Sequence, residues 1–295
     1  MLDKPSRSPF RQMLSALLQD KLAMVGLVLV SIFIIAAALA PVIAPQNPYD
    51  LAQLDILDGR LPPGSKSMSG MVYWIGTDTQ GRDLFSAILY GLRTSILVGL
   101  SSAAIALVIG ASIGLVSAYV GGRLDSVLMR IVDIQLSFPA ILIALIFLAI
   151  LGQGVDKIIL ALVVTQWAYY ARTVRGSALV ERKRAYVDAA RSMALSDRRI
   201  LFRHILPNCL PPLIVVATMR VAYAIMLEAT LSFLGIGLPV TEPSLGLLIS
   251  NGFEYLLSGD YWISVFPGVA LLLLIVGINL IGDSLRDILN PRRES

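Results

Sequence analysis

Histidine and cysteine are almost absent from this sequence, with one of each, His204 and Cys209. A lone cysteine excludes an intrachain disulfide, and a lone histidine excludes a histidine-rich metal site. No GxxxxGK(S/T) phosphate loop occurs anywhere in the 295 residues, so any ATP-driven process needs its nucleotide on another chain. Charge is scarce as well: acidic and basic residues make up 15% of the chain, against about 25% in soluble domains. What the chain has instead is apolar surface, with 56% hydrophobic residues and a mean hydropathy of +0.77. A soluble core in a chain of this length cannot absorb that much, so lipid must cover part of it.

The uncharged runs predict an all-α integral membrane protein with six transmembrane helices. Residues 22–45 carry no charge, and at about 1.5 Å per residue they reach about 36 Å, enough for a hydrocarbon core of about 30 Å. A cleaved leader is the competing reading, but leader cores run only about 7–15 residues, so an uncleaved first helix is expected. The second span is 94–120, with Gly110 and Gly114 at the GxxxG spacing that lets helices approach closely. The third is 134–151 with Pro139 near its start, and the fourth is 158–171, continuing toward Gly176. The fifth is 210–234, interrupted by Arg220 and Glu228. The sixth is 261–282, opened by the interfacial pair Tyr261 and Trp262.

Basic residues fall unevenly between these spans. Four lie in the N-terminal tail (Lys4, Arg7, Arg11, Lys21), two at Arg123 and Arg130, nine from Arg172 to Arg203, and three at Arg286, Arg292 and Arg293. These alternate segments hold 18 of the 24, while the opposite set has Arg60, Lys66, Arg82, Arg93 and Lys157. By the positive-inside rule both termini face the cytoplasm. The net charge of +4 is then a topology signal, and no nucleic-acid partner is expected. The organisation is a cytoplasmic tail 1–21, a first helix 22–45, a periplasmic loop 46–91, a five-helix core 92–285 and a tail 286–295.

Three extramembrane stretches are too long for plain connectors. In the first, Gly76-Thr77-Asp78-Thr79-Gln80-Gly81-Arg82-Asp83 leads into Leu84, Phe85, Ile88 and Leu89. That reads as a surface helix capped near Asp83, lying before span two. From pattern alone it is no more than a capped turn. The second, 180–207, reads as two short helices. Tyr186, Val187, Ala189, Ala190 and Met193 form one small apolar face. Ser196 is the next N-cap, Ile200, Leu201 and Ile205 form a second face, and Pro207 is the stop. This segment either rests on anionic lipid or presents a helix to a cytoplasmic partner, the adjacent alanines favouring close docking. The third, 235–260, has a few apolar residues, too few to span, and reads as a re-entrant or surface piece.

These residues together resemble a known family, the C-type permease subunits of bacterial dipeptide/oligopeptide ABC importers. The likeness is ordered and runs from Leu22 to Arg292. Lys21-Leu22-Ala23-Met24-Val25-Gly26-Leu27 resembles the family's first helix. Gly76-Thr77-Asp78, Gly81-Arg82-Asp83 resembles its periplasmic signature. Gly121-Gly122-x-x-Asp125 and Met129-Arg130-x-x-Asp133 resemble the entry to its third helix. Tyr186-Val187-Asp188-Ala189-Ala190 with Arg203-His204-Ile205-Leu206-Pro207-Asn208 resembles its EAA loop, and Leu231-Ser232-Phe233-Leu234-Gly235 and Gly282-Asp283-x-Leu285-Arg286-Asp287 complete the series. The resemblance implies a type I ABC importer permease fold whose EAA loop is the coupling helix, with Tyr186, Asp188, Ala189, Ala190, Ala194, Ile205, Leu206 and Pro207 engaging an ATPase. It implies as partners a second homologous permease in a heterodimer, two ABC ATPase subunits holding ATP and Mg, and a periplasmic substrate-binding protein. No cofactor belongs to this chain itself. Peptides are the implied cargo, though members also carry nickel chelates and glutathione.

Three positions depart from the family pattern. Asp188 stands for the usual glutamate, Leu245 for a frequent tryptophan, and Ala194 for the glycine of the bend. Since alanine tolerates positive φ poorly, a more helical bend is expected there. Two other functions were weighed. An ion-coupled carrier would use Arg220 and Glu228, but eight residues separate them by about 12 Å along a helix and about 80° around it, too far for a direct pair, and no repeated halves are evident. A membrane enzyme lacks a credible residue cluster. Arg220 and Glu228 are therefore candidates for the translocation pathway or for interhelical pairing, and Gln166 and Asn279 for interhelical hydrogen bonds.

Overall fold

The computed structural model describes residues 15–289 apart from 51, 53, 68 and 69. Lys4, Arg7, Arg11, Arg292, Arg293 and both termini therefore lie outside the described residues. The first helix, α1 (Lys21–Ile43), starts at an Asp20 cap whose carboxylate accepts from the Leu22 N–H at 2.9 Å. It leads to a loop with a 3-10 turn (Ile56–Asp58) and a two-residue antiparallel hairpin, β1 (Ser65–Lys66) with β2 (Val72–Tyr73).

Then follow α2 (Leu84–Val120), α3 (Gly122–Ser137), α4 (Ala140–Leu151), α5 (Val155–Glu181) and the short α6 (Ala185–Ser192). α7 (Asp197–Phe233), α8 (Leu245–Phe253) and α9 (Trp262–Ile288) complete the chain. Asp83 does cap a helix, its carboxylate accepting from the Ser86 N–H at 2.8 Å. That helix is no separate surface piece, however. Leu84, Ile88 and Leu92 are buried in one stripe that runs on into the span, so residues 84–120 are one helix of 37 residues.

α1, α2, α7 and α9 are long and apolar enough to cross a membrane, and α3 with α4, bent by 90° at Phe138–Pro139, are so only if taken together as one broken span. The bend falls where Pro139 lacks an N–H and holds Phe138 extended. α5, with 27 residues, is about 40 Å long but carries Gln166, Arg172 and Arg175, which lower its apolarity. Six helices are compatible with this architecture, α5 being the polar one.

Helices in lipid gain no hydrophobic drive from meeting each other and hold by close packing of small residues. α2 places Ala106, Gly110, Gly114 and Ala118 at four-residue intervals, all buried, against Trp167, Ala171, Val174 and Ala178 of α5. α7 packs across both helices through Ile225, Leu213 and Cys209, and α1 lies outside against α9 and α2. Residues 117–125, 172–205 and the start of α7 gather at one end of the bundle, the basic end. Residues 46–84, 152–155 and 234–262 gather at the other.

Candidate coupling surface and intramembrane polar sites

The segment between α5 and α7 is built on the chain's own core. Val187 is fully buried and Ala190 nearly so, packed with Leu115, Ala118, Ile200, Ile205 and Cys209. Ala190 is thus turned inward, and the docking face read from sequence divides in two. Tyr186, Asp188, Ala189 and Met193 point outward, with Met193 74% exposed. Tyr186 donates to the Glu181 carboxylate at 2.7 Å and accepts from Asn208 Nδ2 at 3.2 Å, tying α6 to both neighbouring helices. Tyr119 at the end of α2 donates to the Asp197 carboxylate, and Arg191 lies over its ring.

The bend after α6 corrects a second expectation. Ala194 takes φ +54°, with its N–H bonded to Arg191 O at 2.9 Å and the Leu195 N–H reaching Ala190 O at 3.2 Å. That is a Schellman ending, whose paired bonds satisfy carbonyls left open at the helix terminus and hold alanine where glycine is favoured. Ala194→Gly removes the Cβ strain and is expected to stabilise the segment by about 0.5–1 kcal/mol. The measurement is amide hydrogen exchange across Ala185–Ser192, expected to slow by a few fold; unchanged or faster exchange contradicts it.

Ser196 stands at the N-cap position of α7 but makes no side-chain cap bond. Nor does Pro207 stop the helix. The Leu206 N–H bonds to Leu201 O, five residues back, and this π-helical turn (Ile200–Ile205) shifts the ladder so that Pro207 enters as an early residue of the next stretch. Ile205 is buried, Leu206 half-buried and Pro207 exposed.

Sequence reading missed the arginines that anchor α3. Arg175 grips Asp125 with two bonds of 2.6 Å, Ser117 donates to the same carboxylate, and Arg172 pairs with Asp133. The two aspartates that repeat eight residues apart thus each meet an arginine one turn apart on α5. The repeat in the sequence was visible; the partners were not.

At the opposite end the signature is a buried knot. Asp78 and Arg82, 0% and 1% exposed, form an ion pair of 2.6 Å. Asp78 also accepts from the N–H groups of Gln80 and Arg82 at 2.8 and 3.0 Å. Thr77 Oγ1 donates to Asp58 O at 2.6 Å and accepts from the Leu61 N–H at 2.7 Å. Gln46 Oε1 accepts from the Asp83 N–H at 2.6 Å, and burial pushes the Asp83 carboxyl up despite bonds from Ser86. Burial, then the neighbouring Asp58, raises the Tyr73 phenol to about 12, so it stays protonated and donates to Asp58 at 2.9 Å. Gly76 (φ +87°) and Gly81 (φ +74°) have backbone forms that L side chains resist, and a Cβ on Gly81 would lie 2.0 Å from Asp55 O. The capped turn therefore fastens residues 46–61, the start of α2, and, through Arg82 to Val240 O and Trp262 to Thr77 O, the 235–262 region. In that region Leu245, Leu247 and Leu248 are buried, and Ser244 caps α8.

Within the bundle, Glu228 is wholly buried and accepts from Ser95 Oγ of α2 at 2.8 Å and Ser232 Oγ at 2.9 Å. It ties α7 to α2. Arg220 is half-buried, its guanidinium 3.3 Å above the Tyr169 ring of α5 and 5.3 Å from that of Tyr223. Gln166 and Asn279 do not make the interhelical bonds expected of them. Gln166 is buried with both side-chain polar atoms unpartnered, and Asn279 is exposed. An apolar cavity of about 470 Å³ lies between α1, α2, α7 and α9, lined by residues such as Val30, Ile96, Leu213 and Leu274. No charged side chain lines it, and its only hydroxyl-bearing lining residues are Tyr170 of α5 and Thr218 of α7.

Comparison with known proteins agrees with this architecture. Residues 106–295 match the family model described as the binding-protein-dependent transport system inner membrane component. Residues 8–63 match the N-terminal TM domain of oligopeptide transport permease C. The dipeptide transport system permease protein DppC of Alkalihalophilus pseudofirmus is 36% identical over 98% of this chain and 91% of its own length. The glutathione transport system permease protein GsiD of Pectobacterium atrosepticum is 34% identical over 99% and 94%. An inward-facing structure of the MetNI methionine ABC transporter shares the fold at 24% identity, with a TM-score of 0.56 over 68% of this chain and 96% of that one. The family model covers more than half of the chain and the relatives match it nearly end to end, so the chain belongs to the family of inner-membrane permease components of binding-protein-dependent transport systems.

Proposed function

We propose that this chain forms half of a translocation pathway for di- or oligopeptides, paired with a second, homologous permease as a heterodimer. A periplasmic binding protein delivers the peptide. Two ABC ATPase subunits bind ATP and Mg, this chain having no phosphate loop of its own. The basic asymmetry supports an orientation with the basic end and both termini in the cytoplasm. Relatives named for dipeptides and glutathione support the cargo class.

The observation that carries this reading is the two-sided α6. Its inner side, Val187 and Ala190, is locked among residues of α2, α5 and α7, while Tyr186, Asp188, Ala189 and Met193 are exposed at the end of the bundle. A push on the free side is transmitted to the start of α7 through Ile200 and Ile205, because packed helices shift as bodies rather than deform. A helix lying passively on lipid needs no such inner anchorage.

Met193→Asp puts a charge on the free side and spares the core. It is expected to insert normally but to recover about tenfold less ATPase in the purified complex, since desolvating an unpaired carboxylate costs more than about 1.4 kcal/mol. A variant that assembles with ATPase subunits and drives uptake at the wild-type rate removes α6 as the docking element and leaves the lipid-surface reading. A bulky substitution at Ala190 would not test docking, because it strikes the chain's own packing first.

A further inference from the structure

Arg220 is a charge without a counterion. It sits near the middle of the apolar part of α7, about 20 Å from either end, and makes neither hydrogen bond nor ion pair with any described residue. The nearer acid on its own helix, Glu228, is two turns away and already held by Ser95 and Ser232, and Asp197 is at the far end on Tyr119. A cationic side chain at mid-membrane depth costs about 2.5–3.5 kcal/mol even in lenient insertion scales, so this face does not look onto lipid.

Its geometry specifies the missing partner. The guanidinium lies 3.3 Å from the Tyr169 ring centroid, with Tyr223 beside it. Stacking uses the flat face and leaves the N–H edge free, and that edge is a two-pronged donor matched to a carboxylate. Both tyrosines are half-exposed. The surface continues along α5 at Thr173, Gly176 and Ser177, one helix face three to four residues apart, polar or small and open: no atom lies within 4 Å of a Cβ added to Gly176. This is a polar, open stripe running from Arg220 toward the basic end, and the cation at its head has no ion pair among the described residues.

We propose that Arg220, held flat on Tyr169 and flanked by Tyr223, is a transient docking point for the C-terminal carboxylate of a peptide crossing the membrane. The proposal rests on the peptide-permease reading above. A cation that also stacks on an aromatic ring can hold a carboxylate without trapping it, because the exposed pair is partly hydrated and each peptide leaves by exchanging the guanidinium for water. The peptide would then be oriented carboxylate-first against α5 and α7.

The test uses the full complex reconstituted with its ATPase subunits and binding protein. Two peptides are compared, one with a photoreactive benzophenone side chain at its C-terminal residue and one with it at the N-terminal residue. Each is loaded, trapped with a non-hydrolysable ATP analogue, irradiated and mapped. The C-terminal probe is expected to label segments around Tyr169 and Tyr223, at least fivefold more than the N-terminal probe. Arg220→Gln is expected to lower that labelling at least fivefold, with Arg220→Lys intermediate. Equal labelling by both probes, no labelling of these segments in the wild type, or Arg220→Gln labelling at the wild-type level overturns the proposal; the last result assigns Arg220 to a carboxylate of the partner permease instead. ATP-driven uptake by the wild-type complex is measured in parallel. Its absence strikes the permease reading, whereas uptake without end-selective labelling strikes only this inference.

Discussion

Gly114→Val is expected to prevent α2 and α5 from packing, leaving little folded protein to purify. A Cβ on Gly114 would lie 2.3 Å from the Ala171 carbonyl oxygen, 3.0 Å from its carbon and 3.1 Å from its Cα. All three are backbone atoms, which no rotamer change can move aside. One turn earlier, a Cβ on Gly110 would meet Trp167 O at 2.2 Å and Tyr170 Cβ at 2.7 Å. Relief requires the two helices to separate along their whole contact, so the dispersion contacts of Ala106, Leu115, Ala118, Val174 and Ala178 weaken together. Inserting bulk into a tight core costs about 1–3 kcal/mol where side chains can adjust; here they cannot, and the loss belongs at or beyond the top of that range, a large part of a total stability of about 5–15 kcal/mol. Gly268→Ala in α9 is the control. It is also a helix glycine, but no atom lies within 4 Å of the added Cβ, and it should be neutral or slightly stabilising. Yield of monodisperse protein and melting temperature in detergent decide the matter. If Gly114→Val melts like Gly268→Ala, the α2–α5 crossing is not what organises the bundle.

The small-residue spacing of α2 was legible in the sequence, as was the class of protein, because hydropathy and spacing are properties of a single helix; that α5 is the partner was not. The run at 22–45 became Lys21–Ile43, and the one opening at 261 became Trp262–Ile288. Boundaries failed where a local signal met a tertiary one. Arg93 ends the uncharged run and hid the junction at 84–94, yet it is simply exposed on the side of a continuous helix. Pro207 reads as a stop, and a π-helical turn bypasses it. Ala194 reads as a more helical bend, and two backbone bonds keep the turn as glycine would have made it. The coupling face failed for a different reason. Tyr186, Ala189 and Met193 fall on one side of α6 and Val187 and Ala190 on another, and periodicity cannot tell which side the chain keeps for itself. The same limit concealed the partners of Asp125 and Asp133, which are 50 and 39 residues away. The turn at 76–83 was read correctly as capped, but its burial, which makes it a junction of three segments, is a property of the assembled chain.

That junction carries the second large effect. Asp78→Ala leaves the Arg82 guanidinium 1% exposed with its Nη1 on Val240 O at 3.3 Å and its Nη2 already without a partner. Breaking a buried pair by removing one member costs about 3–5 kcal/mol, mostly the penalty of the stranded charge. The turn also loses the acceptor of the Gln80 and Arg82 N–H groups. Removing both charges strands neither, so Asp78→Asn with Arg82→Gln, which keeps an acceptor in the turn, should lose distinctly less than Asp78→Ala alone. Arg82→Gln by itself leaves Asp78 with its two backbone donors and should fall between. The ordering separates an ion pair that stabilises from one that merely must not be broken, and it is read as melting temperatures of the purified protein, about 10 °C lower for Asp78→Ala. Because the knot joins residues 46–61 and the start of α2 to Val240 and Trp262, loosening it also frees α8 and the head of α9. Uptake should therefore drop in Asp78→Ala and recover in the double variant in step with stability. Equal melting temperatures for all three variants and the wild type would leave the buried pair without a part in holding this end of the molecule, and a double variant no better than Asp78→Ala would shift the cost from the stranded charge to the turn's own hydrogen bonds.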